Sequence, residues 1–389
     1  MKKLDQGRAT KLRKPILLSA FLGTELREEE LSEANMDRKT LMRFINGKSP
    51  EDYDFKKLMG EYYLYYTYQI AGNTDDGFYE HVLPNELRQL TETEDSIERW
   101  YLYKTFEEQN KLNKTWFHCD SSNHTCDLTD AIYETLWYGE TGFQLSKFDF
   151  GGDTMNSFAY TFGQFGANNL RPSAKKTYER QYEGSHDVKE IQNIFSEYAC
   201  RVSCIGNFCL VPLGYNGYRG NAENPFKDYW DLSLNNLKYN KDHRDWLGRV
   251  GMSFQQYIHI FFLWDYVNKD FHVLPLCQSH TGMLGLCAPY PYQSPYPKGT
   301  EFREFTSNAN IRILRRGIFM AAMLRIAVDP ECGDDYKSRI VPFLSTEECP
   351  GTMEDVLDQL KADCKSAGFS RKTTDILQQI KLPELEKKI

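Results

Sequence analysis

The stretch CIGNFCLVPLGYNGYRGNAENPFKDYWDLSL, residues 204–234, sets a short apolar run against a long connection rich in glycine and asparagine. Phe208, Leu210 and Val211 have the character of a strand, and Pro212 ends it. An ordinary turn needs only two or three special residues. Here Gly206, Asn207, Gly214, Asn216, Gly217, Arg219 and Gly220 all fall between positions 206 and 220. Gly206 and Gly214 permit backbone angles closed to other residues, and the amides of Asn207 and Asn216 can hold backbone groups. Arg219 offers a fork of donors suited to a carboxylate or a phosphate, and Asp228 and Asp231 flank Trp230 just downstream. Two readings stand. One is a structural loop in which Arg219 pairs with one of these aspartates; the other is a shaped loop that binds something.

The chain around this stretch has 389 residues, which suggests two domains or one large helical body with an extra lobe. Hydrophobic residues make up 41%, and 25 Tyr and 24 Phe supply volume for a sizeable core. So many Tyr hydroxyls must find partners or reach water. The formal net charge of -8 argues against global attraction to a phosphate backbone while allowing a local basic cleft. Lys2, Lys3, Arg8, Lys11, Arg13 and Lys14 read as a solvated basic tail. No secretory signal is evident, and the apolar runs 257–267 and 317–328 are interrupted by Asp265 and Arg325, so neither reaches a membrane span. Ten dispersed cysteines fit reduced thiols, and the expected location is the cytoplasm.

Helical periodicity dominates, and the expected class is mainly α, an α+β chain with a minor short-stranded β element in a multi-helix globular body. Candidate helices lie at 54–72 and 92–110, and Asp153 is a plausible N-cap for one over 153–166. Asp187 with Glu190 forms a capping-box pattern ahead of a helix reaching 203, where Cys200 and Cys204 would lie one turn apart. SFQQYIHIFFLWDYV repeats the capping box at Ser253 and Gln256 and reads as a core helix to Val267. Prolines 289, 291, 295 and 297 impose an extended loop. Helices follow over ANIRILRRGIFMAAMLRIA and over TMEDVLDQLKADCKSAGF, the latter with Thr352 as N-cap and Gly368 as C-cap. The best strand signals are 208–211 and 272–276. The expected organisation is a helical N-terminal domain at 1–145, a helical core at 146–332 carrying the Asn/Arg-rich loop, and a C-terminal helical extension at 333–389.

GDTMNSF at 152–158, IGNFCLVP at 205–212, YNGYRG at 215–220 and DYWDLSL at 228–234, with Phe148-Asp149-Phe150 before them, resemble an uncharacterised family of bacterial proteins. The resemblance covers about residues 147–330 and implies a bacterial, intracellular origin; it brings no activity with it. The first 140 residues lie outside it and look like an added domain.

YEHVLPNEL at 79–87 is similar to the His-containing box of His-Me finger nucleases, and Gly206, Asn207, Leu210 and Asn216 echo the segment that follows it in them. That likeness implies a metal-dependent phosphodiester hydrolase, of a kind that could serve defence against foreign nucleic acid. His81 would take a proton from water, Mg or Mn would neutralise the phosphate, and Asn207, Asn216 and Arg219 would complete the catalytic set. The spacing departs from a compact finger, because more than a hundred residues separate His81 from Asn207. The alternative is a non-catalytic interaction or regulatory protein that binds a partner protein or a small anionic ligand. The ligand-binding candidates are then Asp153, Asn156, Gly206, Gly220, Asp228 and Asp231. His118, Cys119, His124 and Cys126 cluster closely enough to be weak zinc ligands, but no Cys-x-x-Cys pair supports them. Arg312, Arg315 and Arg316 share a helix face, read as solvated with acidic partners or as an anion-facing strip. No Walker loop, GxGxxG, GxSxG or HExxH is present.

Overall fold

The computed structural model describes residues 45–46, 49–52, 127–138, 143, 145–146, 148–156, 198, 201–202, 204–219, 229–240, 244–285, 301–346, 349–366 and 368–385. The predicted helices at 54–72 and 92–110, most of the one before residue 203, and the proline-rich loop lie outside them. The described residues are mainly α with one small antiparallel sheet, as the periodicity leads one to expect. No described helix is long and apolar enough to cross a membrane.

The sheet pairs β1, Phe150–Thr154, with β2, Phe208–Pro212. Its register sets Phe150 opposite Pro212 and Asp153 opposite Cys209. The run 208–211 is therefore a strand as its residues indicate. Asp153, expected to cap a helix, lies inside β1 instead. The predicted strand at 272–276 reduces to a single bridge between Val267 and Val273.

Eleven helices of the described residues are labelled in chain order: α1 Asp127–Leu136, α2 Tyr215–Arg219, α3 Trp230–Tyr239, α4 Trp246–Arg249, α5 Phe254–Ile260, α6 Gln278–Thr281, α7 Glu301–Val328, α8 Gly333–Asp335, α9 Val341–Leu344, α10 Met353–Ser366 and α11 Arg371–Gln379. The capping box at the start of α5 forms as expected: Gln256 N–H donates to Ser253 Oγ at 3.2 Å, and Ser253 N–H to Gln256 Oε1 at 2.8 Å. Thr352 Oγ1 accepts from Asp355 N–H at 3.2 Å ahead of α10, and Gly368 beyond it has φ +68°.

Helix α5 stops at Ile260, seven residues before the sequence pattern ends. Phe262 takes φ +58°, Phe262 N–H donates to His259 O at 3.2 Å, and Leu263 N–H to Ile258 O at 2.8 Å. These are the two bonds of a Schellman stop, with a phenylalanine where glycine is usual. A left-handed backbone costs a non-glycine residue about 1–2 kcal/mol. Here the ring offsets it, stacking on Trp264 at 5.8 Å and meeting Phe319 of α7 edge-on at 5.1 Å.

Helix α7 is the axis of the core. Against it pack α1, α11, the 3₁₀ turns Pro50–Asp52, Ile205–Asn207 and Trp264–Tyr266, and the π turn Tyr336–Ile340. The Ile205–Asn207 turn comes closest. A Cβ added at Gly206 would sit 1.9 Å from Ile313 O and 2.7 Å from Gly317 N. Gly206 is therefore needed for close approach, whereas Gly214, with φ +85°, is needed for its backbone angle. Gly206→Ala would force α7 away from this turn. It should lower stability by about 3 kcal/mol or more in urea denaturation, the upper end of overpacking costs; Gly217→Ala, on a helix with open space around it, should leave stability unchanged or raise it by up to about 1 kcal/mol.

Candidate functional site

The Asn/Arg constellation is gathered together, but inside the protein. Arg219, at the end of α2, is 2% exposed and forms an ion pair with Asp153 of β1 at 2.6 Å. It also donates from Nη2 to Thr154 O at 2.6 Å and from Nη1 to Ser233 Oγ at 3.0 Å, and lies over the Trp230 ring at 5.4 Å. One guanidinium thus ties β1, α2 and α3 together. The expected partner was Asp228 or Asp231; the observed one is Asp153, whose side chain the strand register turns inward. Asp231 is engaged elsewhere, and Asp228 and Gly220 lie outside the described residues.

Asn207 and Asn156 form a second buried unit. Asn207 Nδ2 donates to Val202 O at 2.6 Å and Asn156 O at 2.8 Å, while its Oδ1 accepts from Asn156 N–H at 3.0 Å. Asn156 Oδ1 in turn accepts from Trp230 N–H at 3.2 Å, satisfying an otherwise orphaned donor at the start of α3. Asn216 differs: it is exposed on α2. Of the proposed catalytic set, then, Asn207 spends its amide and Arg219 both terminal guanidinium nitrogens on internal partners, Asn216 faces outward, and His81 lies outside the described residues. The candidate zinc ligands His118, Cys119, His124 and Cys126 also lie outside them, and no group of three or more potential metal ligands occurs among the described residues.

Asp231 belongs to a unit that the sequence does not announce. Its Oδ2 lies 2.7 Å from His280 Nδ1 and accepts from Leu276 N–H at 2.8 Å. Both side chains are fully buried, and the Tyr229 and Phe305 rings meet the imidazole edge-on. Cys277, also buried, sits beside them with Sγ 3.3 Å from Ser279 Oγ. Carboxylate, imidazole and thiol are the ingredients of a nucleophilic set. Sealed from solvent, they act here as a clamp between α3 and α6. Burial disfavours the imidazolium, but the Asp231 carboxylate outweighs it, and His280 stays protonated well above the ordinary value. His259 is the opposite case. Burial pushes it down to about 4, and its neutral Nδ1 accepts from Trp264 Nε1 at 2.8 Å.

The helix face of Arg312, Arg315 and Arg316, read as solvated, is buried. Arg315 forms an ion pair with Asp265 at 2.7 Å and another with Glu354 of α10, and donates to Pro383 O. Arg312 Nε donates to Asp265 O at 2.8 Å. Arg316 donates to Gly206 O, Phe208 O and Phe261 O at 2.8, 2.7 and 2.9 Å. The only sequence signal for this was arginine inside an apolar run, which charge patterning alone reads as surface.

Comparison of the chain with family models, with curated proteins and with solved structures finds no match in any of the three.

Two outcomes test these assignments. Arg219→Met would leave the Asp153 carboxylate buried without its counter-ion, and should cost about 3–5 kcal/mol in urea denaturation. Adding Asp153→Asn should restore a substantial part of that loss, because the stranded charge is then gone. The two histidines give opposite pH signatures. His280 has a raised folded-state pKa, so its stabilisation is full below pH 6.5 and declines as pH rises from there through the folded value. The lowered value at His259 makes the wild type lose stability as pH falls from 6.5 towards about 4. Thermal melts against pH should therefore show the wild-type advantage over His280→Gln shrinking on the alkaline side, and a His259→Gln variant should lose part of the acid-side decline.

Proposed function

We propose that this chain is a non-catalytic helical interaction protein, in which the Asn/Arg constellation braces a scaffold and the exposed surface does the binding. The observation that supports the reading is the burial of Arg219, Asn207, Asn156 and Asp231 and their engagement by internal partners. A catalytic or ligand-binding group must reach a reacting or recognised atom. These side chains instead hold backbone carbonyls, a helix N-terminus and each other, and they sit at the junctions of β1, the Ile205–Asn207 turn, α2 and α3. Their removal would loosen the framework on which a binding face is carried.

The competing proposal is phosphodiester hydrolysis with His81 as base and Mg or Mn as the metal. A single assay separates the two: the full chain is incubated with plasmid DNA and with RNA in Mg²⁺ or Mn²⁺, wild type beside His81→Ala. The expected result is no metal-dependent cleavage above background in either protein. Cleavage by the wild type that disappears in His81→Ala would overturn the non-catalytic reading.

A further inference from the structure

The buried arginines all have internal acceptors, which throws two others into relief. Arg244 precedes α4 and Arg249 is its last residue, and both are exposed. Neither guanidinium has an ion pair or a hydrogen bond among the described residues. Each is held by an aromatic face instead: Arg244 over Trp246 at 5.6 Å and over Tyr218 at 5.3 Å, and Arg249 over the same Trp246 at 4.9 Å. Trp246 is itself fixed, packed edge-on against Tyr215 at 5.5 Å and tilted against Tyr218 at 5.4 Å. Tyr218 is anchored by Asn240 Nδ2, which donates to its hydroxyl at 2.7 Å.

Stacking holds a guanidinium plane without using its N–H edges. Two positive groups are thereby set around one indole with their donors available. The acid that lies between them in sequence forms an ion pair with neither; Asp245 Oδ1 accepts from Gly248 N–H at 2.9 Å and caps α4. In a chain of net charge -8, two exposed cations with no acidic partner among the described residues are a feature that needs a reason. The exposed Asn216 and Gly217 lie on α2, the same short helix as Tyr218, and add a polar, unobstructed border.

We propose that Arg244 and Arg249, stacked on Trp246 and Tyr218, form a binding site for phosphate groups, carried by a nucleotide or by a nucleic-acid strand. Guanidinium edges match phosphate oxygens in geometry and charge. The site rests on the reading of the chain as a binding protein, because it offers recognition and no nucleophile or base.

The test measures fluorescence anisotropy of a labelled oligothymidylate and a labelled oligouridylate against the full chain, with ATP and inorganic phosphate as separate competitors. Variants are Arg244→Ala/Arg249→Ala and Arg244→Lys/Arg249→Lys, with thermal melts to verify folding. The alanine pair breaks no hydrogen bond of the described core, so its melting point should stay close to that of the wild type. The wild type should bind one of these phosphate compounds, and the alanine pair should bind about tenfold or more weakly. For a strand, the salt dependence in the alanine pair should also fall by about 1.4 in log–log slope, two phosphate contacts at about 0.7 each. The lysine pair should bind between the two, retaining charge without the stacked fork. Competition by ATP as effective as by strand assigns the site to nucleotides; competition by strand alone assigns it to nucleic acid. Equal affinity of wild type and alanine pair, or no binding of any of these compounds by the wild type at low salt, would overturn the proposal. Cleavage of the bound strand would defeat the non-catalytic reading and leave the phosphate site standing, so the two can fail separately.

Discussion

Burying three guanidinium groups on one helix constrains everything around α7. A charge removed from water must find compensating partners, and an irregular backbone segment must find donors for its carbonyls. Here the two needs meet. Arg316 satisfies carbonyls of the Ile205–Asn207 turn, of β2 and of the residue that ends α5. Arg312 and Arg315 do the same for the Trp264–Tyr266 turn and the C-terminal segment, with Asp265 supplying the countercharge. Non-helical connections can therefore lie in the core, where backbone polar groups would otherwise be stranded. Gly206 completes the arrangement by letting the turn touch the helix backbone.

The second layer of polar contacts follows from the first. Once α7 fixes residues 205–208, β2 is placed, and β1 pairs with it so that Asp153 faces inward. That inward carboxylate needs a cation, and Arg219 on α2 is the one brought to it. Asn156, immediately after β1, reaches both Asn207 and the first turn of α3. Asp231 then carries the chain of contacts on to His280 and α6. Each of these residues carries chemistry that could serve catalysis. Their depth and their internal partners make them supports of the framework.

Much of the fold was legible because it depends on near neighbours. The capping box at Ser253, the N-cap at Thr352 and the stop at Gly368 act over three or four residues, and the structure contains them. The strand at 208–212 shows in its unbroken apolar run, as a strand buried along its length should. The end of α5 was not legible, because Phe262 replaces the expected glycine and its left-handed backbone is repaid by rings distant in sequence. Asp153 was misplaced for a related reason: an acid before an apolar stripe has the pattern of an N-cap, and only pairing with β2 reveals a strand.

By itself the sequence determined the mainly helical class, the short strand, the local caps, and that the residues at 204–234 are unusual. Tertiary structure decided what those residues are for. Whether an arginine meets water, an aspartate or a carbonyl depends on groups tens to hundreds of positions away, and side-chain chemistry is the same in each case. Arg219 found Asp153, Asp231 found His280, and Arg312, Arg315 and Arg316 of α7 found the core, because packing set which polar atoms were sealed together.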